Sequence, residues 1–122
     1  MDIFGPVLRG LRDALHLYES RQQVIAENLA NVETPGYRAR DMEFADELER
    51  AFDPGRARSE AEPLSPPEPT VDRNASVKAD GNSVDVDLEM ARLSDNALRI
   101  VALSRIVARK YAGMKQLISE LR

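Results

Sequence analysis

Few side chains in this 122-residue sequence are of types that do chemistry, and their spacing argues against it. The single histidine, His16, sits inside a run with helical apolar spacing, and no cysteine is present to act as nucleophile, zinc ligand or disulfide partner. An imidazole acting as general base needs a second positioned group, and none accompanies it. A solvated or interfacial place on a helix is the expectation for His16. The acidic run Asp80, Asp85, Asp87 and Glu89 invites a calcium reading. An EF-hand loop needs glycine at its sixth position, however, and here Gly81 directly follows Asp80. Asp85 or Asp87 as the N-cap of a following helix explains the run better. Catalytic, cofactor-binding and metal-ligating residues are each expected to be none, and the chain is expected not to be an enzyme.

The elements that would position these residues are helices. Phe4, Leu8, Leu11, Leu15, Tyr18, Gln22, Ile25, Leu29 and Val32 alternate at spacings of four and three, a coiled-coil seam with only Gln22 polar. It predicts a helix over about 6–32, with Pro6 suited to the first turn, where its missing N–H costs nothing. A second seam, Leu93, Ala97, Ile100, Ser104, Val107, Tyr111, Met114, Ile118 and Leu121, predicts a helix over about 87–121.

Leu98, Val101, Leu103, Ile106 and Leu117 widen the second stripe beyond what one partner helix covers. Leu17 and Val24, seven apart and off the first seam, give the same hint. Burial of these residues between subunits is the expectation. Phe44, Leu48 and Phe52 recur every four residues and predict a short packing helix over about 41–52. Pro54, Pro63, Pro66, Pro67 and Pro69 then make residues 53–82 an irregular linker.

Composition narrows the partners. The formal charge is -4, from 17 basic and 21 acidic residues that are interspersed, so no concentrated basic surface exists to track nucleic-acid phosphates. No stretch approaches the length of apolar residues that spans a membrane, and the first residues, Met1 to Pro6, lack a basic segment followed by an apolar core. Export without a cleaved Sec signal is the expectation. Aromatics are only 5%, so aliphatic seams must do most of the packing.

The first helix closes on Asn28-Leu29-Ala30-Asn31-Val32-Glu33-Thr34-Pro35-Gly36-Tyr37. Thr34, preceding proline, is pushed to extended geometry, so the helix should stop by Glu33. Pro35-Gly36 fits the centre of a type II turn with Gly36 at positive φ, which would aim Tyr37, Arg38 and Arg40 back toward the helix.

The string from Ile25 to Tyr37 resembles the N-terminal motif of bacterial flagellar rod, hook and hook-associated axial proteins. Asp80 to Ala91, Asn96-Ala97-Leu98-Arg99, Ser104-Arg105 and Arg109 to Lys115 are similar to the basal-body rod branch of that family, and to its proximal rod in particular. The resemblance covers roughly residues 1–45 and 78–120. One departure is Ile100-Val101, where such proteins often carry an aromatic.

The resemblance implies an all-α chain forming one rod core domain over 1–122, its two long terminal amphipathic helices packed as an antiparallel coiled-coil-like hairpin. It implies a structural subunit of the hollow drive shaft that crosses the periplasm, transmits torque and passes exported subunits in support of motility. The implied partners are copies of itself, other rod and basal-body proteins and the flagellar type III export apparatus, with no nucleic acid, membrane insertion, small-molecule substrate or cofactor. The motif residues would then be Asn28, Leu29, Ala30, Asn31, Thr34, Pro35, Gly36 and Tyr37. Assembly would use the seams Leu8, Leu11, Leu15, Tyr18, Ile25, Leu29 and Val32 with Leu93, Ile100, Val107, Tyr111, Met114, Ile118 and Leu121. Seams alone also fit a soluble coiled-coil adaptor, an export chaperone or another rod subunit of the family.

Overall fold

The computed structural model describes residues 5–53, 55 and 64–122. In chain order it contains helix α1 (Gly5–Ala30), strand β1 (Arg40–Asp41), helix α2 (Ala45–Ala51), strand β2 (Thr70–Val71) and helix α3 (Val86–Glu120). The chain is mainly helical. At about 1.5 Å per residue α1 is roughly 39 Å long and α3 roughly 52 Å, so α3 outreaches its neighbour.

The two long helices run antiparallel: Asn28 near the end of α1 meets Glu89 near the start of α3, and the Tyr18 carbonyl meets Asn96. Along α1, Leu11, Tyr18 and Ile25 are buried, while Leu8, Leu15, Gln22, Leu29 and Val32 are half-buried. Phe4, the first residue of that stripe, lies outside the described residues. Val32 lies beyond the end of α1, which stops at Ala30. The inner stripe of α3 differs from the apolar count. It runs through Glu89, Leu93, Asn96, Ile100, Leu103 and Val107, with Glu89 and Asn96 buried and Ser104 exposed. Counting only apolar residues hid this rotation, because two buried polar side chains belong to the stripe. Asn96 donates to the Tyr18 carbonyl (2.8 Å) and to Gln22 Oε1 (2.6 Å), so the polar member of the first seam meets a polar residue of the α3 inner stripe, whose own Oδ1 has no hydrogen-bond partner among the described residues.

Leu17 and Val24 are not held for a second subunit. They are 0% and 4% exposed within this one chain, clustered with Tyr18, Met42, Phe44 and Leu64. The segment after the turn folds back over the α1 face beside the seam, and burying side chains of this size contributes roughly 1.5–3 kcal/mol each. The Tyr18 and Phe44 rings meet edge to face at 4.9 Å between centroids.

The short helix spans Ala45–Ala51 and not 41–52. Residues 40–41 are instead extended, pairing antiparallel with β2 in the register Arg40 to Val71 and Asp41 to Thr70. Phe44 is buried at its N-cap position and Leu48 packs on the core, whereas Phe52 is half-exposed. The linker is likewise not uniformly irregular, since it supplies β2, the core residue Leu64 and the buried Asn82, which opens a buried run with Ser83 and Val84.

α2 closes on α1 at Gly10. A Cβ there would stand 2.7 Å from the Phe52 ring and 2.8 Å from the Ala51 carbonyl oxygen, so only glycine admits this approach. Among the described residues no helix is long and apolar enough to cross a membrane.

Candidate functional site: an asparagine-locked turn and an open helix face

The turn after α1 is built around two buried asparagines. Asn28 donates from Nδ2 to the Arg40 carbonyl (2.7 Å) and to Glu89 Oε2 (3.2 Å), and its Oδ1 accepts from the Tyr37 hydroxyl (3.1 Å) and the Arg40 N–H (3.1 Å). All four hydrogen-bonding positions of the amide are thereby used. Asn82 performs the complementary task from the other loop. Its Nδ2 donates to the carbonyls of Asn31 and Thr34, both at 2.8 Å, adding a second bond to each of two turn acceptors that already take a backbone N–H.

Backbone contacts zip the two loops together. The Gly36 N–H donates to the Asp80 carbonyl (2.9 Å), the Ser83 N–H to the Tyr37 carbonyl (3.0 Å), and the Ala39 N–H to the Ser83 hydroxyl (2.8 Å). Gly36 has φ +75°, and the Tyr37 N–H returns to the Thr34 carbonyl at 3.2 Å. Gly81 has φ +83°, and a Cβ on it would lie 3.3 Å from the Gly36 Cα. Tyr37 and Arg40 both reach α1, the latter through Glu27 Oε2 at 2.6 Å, while Arg38 is exposed.

The acidic run disperses into this scaffold. Asp85 is the N-cap of α3, accepting from the Leu88 N–H at 3.2 Å. Asp80 accepts from the Asn82 N–H at 3.0 Å. Glu89 is 1% exposed and pairs with Arg92 (3.0 Å), whose guanidinium also reaches Asp72 (3.4 Å). Burial alone would lower the Arg92 pKa, but Asp41, Glu89 and Asp72 together outweigh it and hold the group above its ordinary value. The ladder Asn28, Glu89, Arg92, Asp72 thus joins the end of α1, the start of α3 and the strand loop. A parallel fork from Arg21 to Asp41 (3.1 Å to each oxygen) fixes β1 on α1.

Apolar periodicity could not reveal Asn82, Glu89, Arg92 or Gly10. The available signal was the polar string 80–89 itself, in which Asn82, Ser83 and Glu89 are buried against long-range partners.

The motif residues therefore fall into two groups. Asn28 is buried and Leu29, Asn31 and Tyr37 half-buried, whereas Ala30, Thr34, Pro35 and Gly36 are exposed at the tip. The seam residues divide also. Leu93, Ile100, Val107 and Met114 are half-buried, but Tyr111, Ile118 and Leu121 are 57%, 61% and 86% exposed. Leu98 at 70%, with Val101, Ile106 and Leu117, adds to that open apolar surface. Leu103, expected between subunits, instead packs on the core. No cluster of three or more potential metal ligands occurs among the described residues.

Comparison with known proteins places this geometry. A family model described as flagella basal body rod protein matches residues 8–38, the stretch that contains the α1 seam and the locked turn. Flagellar basal body rod protein FlgB of Escherichia coli (strain K12) is 32% identical over 97% of this chain and 96% of its own length. The FlgB proteins of Salmonella typhimurium and Cereibacter sphaeroides are 32% and 33% identical, over 97% and 83% of this chain. The chain belongs to the FlgB family of flagellar basal-body rod proteins.

This rod protein is a structural subunit of the flagellar basal body, in a family that is not one of enzymes, and the adaptor and chaperone readings fall away. Membership implies assembly with other basal-body components. The match spans both long helices and the linker, so α3 and the loop 78–84 share the family relationship with the turn.

Proposed function

We propose that the subunit polymerises through its terminal helices into the proximal part of a hollow, periplasm-spanning rod, carrying torque and passing exported subunits in support of motility. The observation that supports this best is the far half of α3, where Tyr111, Ile118 and Leu121 are 57%, 61% and 86% exposed although the chain keeps a compact core elsewhere. A contiguous apolar face of that kind is an interaction surface. In this reading the coiled-coil-like hairpin of α1 and α3 forms one rod core domain over 1–122, and the Pro35-Gly36 turn sets its end. The half-buried members of the seam from Leu8 to Val32 and the open members of the seam from Leu93 to Leu121 continue from the hairpin into contacts with copies of itself and other rod subunits. Export proceeds through the flagellar type III apparatus, and no catalytic, metal or cofactor site takes part.

The test is Ile118→Asp combined with Leu121→Asp in a motile strain lacking its own copy of the subunit. Both side chains are exposed, so thermal unfolding of the variant should match wild type while rods and swimming are lost. Wild-type swimming by this variant would remove the terminal helix from the assembly.

A further inference from the structure

This inference rests on the assembly reading above and names the partner of the open face. Leu98, Arg105, Arg109 and Ala112 are exposed and fall on one side of α3, about half a turn round the helix from the inner residues Asn96 and Ile100, with the exposed Val101 at the edge of that side. From Val101 to Arg122 the only carboxylate is Glu120, against Arg105, Arg109, Lys110, Lys115 and Arg122. Arg105, Arg109 and Lys115 make no ion pair among the described residues.

The opposite chemistry sits on α2. Asp46, Glu49 and Asp53 recur at spacings of three and four, and with Arg50 and the half-exposed Phe52 they line a notch of about 670 Å³. Glu43 and Glu47 add to the same acidic segment, and none of these carboxylates has an ion pair among the described residues. The two surfaces do not meet within one copy, because no Cα of α2 comes within 8 Å of α3.

We propose that the cationic, apolar outer face of α3 in one copy docks on the acidic α2 face of a second copy, with Leu98 and Val101 against Phe52 and with Arg105 and Arg109 over Asp46 and Glu49. Exposed ion pairs add little affinity alone, so apolar burial holds the contact and the charges select partner and register. The two faces differ, so the contact is heterologous. Each added copy leaves one face of each kind open, and the series grows as an open helical array in place of closing as a dimer.

Charge reversal tests this with full-length chains in a motile strain lacking its own copy. Arg105→Glu with Arg109→Glu should abolish swimming, and so should Asp46→Lys with Glu49→Lys. Co-expression of the two variants should restore it, because each face of one is then complementary to a face of the other in an alternating series. Matching thermal unfolding of the purified proteins verifies that the exposed substitutions leave folding intact. Swimming by either variant alone, or failure of folded variants to complement each other, overturns the pairing. A Leu98→Asp control separates the two levels. If it is immotile while the charge variants swim, assembly through α3 stands and only this partner face falls; if it also swims, the assembly role of this face falls with the pairing.

Discussion

Gly36 and Gly81 meet where the two loops are zipped, at φ +75° and +83°. Nothing lies within 4 Å of a Cβ built on Gly36, so substitution there meets conformational cost and no clash. Gly36→Val should lower stability by about 1–2 kcal/mol, because a β-branched residue resists positive φ, and Gly36→Asn should lower it less. Thermal unfolding of the two variants checks the order, and equal losses would contradict the conformational argument. At Asn28 the chemistry is different. Asn28→Asp replaces the donor facing Glu89 Oε2 with a second buried carboxylate and removes the bond to the Arg40 carbonyl. A loss of about 3 kcal/mol or more is expected, measured by denaturant unfolding. A shift below 1 kcal/mol would mean the ladder opens to water.

Among the elements, α2 is held by one close approach. Gly10→Ala gains roughly 1 kcal/mol of helix propensity for α1. The new Cβ also lies 2.8 Å from the Ala51 carbonyl oxygen, so the end of a seven-residue helix must move. The expected outcome is faster amide exchange in residues 45–51 with α1 unchanged or better protected. Uniform exchange across both helices would show that α2 does not depend on Gly10. The longer pairing of α1 with α3 has its register fixed by the contact of Gln22 with Asn96, a polar pair that a one-turn slip would separate and leave buried.

For the whole molecule, the asymmetry between the two ends of α3 makes a prediction about the free subunit. Residues 89–103 lie against α1 and the core, with Glu89 and Asn96 buried and Ile100 and Leu103 packed on the central cluster. Beyond them the helix is largely exposed. Amides from 107 to 120 should therefore exchange faster than those from 89 to 103 in dilute subunit, and should become protected in intact basal bodies. Equal strong protection along α3 in the dilute subunit would show that the far half needs no partner. Leu15→Asp or Ile100→Asp should abolish rod formation by a different route, because each puts an unpaired charge into the half-buried helix contact and lowers the stability of the fold itself.

Periodicity and turn chemistry were local properties, legible in the chain by itself: the two long helices, the short helix near Leu48, the glycine turn and the Asp85 cap each follow from residues within a few positions of one another. The family was legible for the same reason, since its motif is a continuous string from Ile25 to Tyr37. Which faces are covered was not local. Leu17 and Val24 look like surface for another subunit until Met42, Phe44 and Leu64 fold over them, and the linker looks structureless until β2 finds β1. Polar residues carried the least readable information of all. Asn28, Asn82, Glu89 and Asn96 count as solvent-facing in any apolar pattern, yet each is 0–1% exposed. Partners from distant segments satisfy Asn28, Asn82 and the Nδ2 of Asn96 and share the burial of Glu89, and that depends on tertiary structure bringing those segments together.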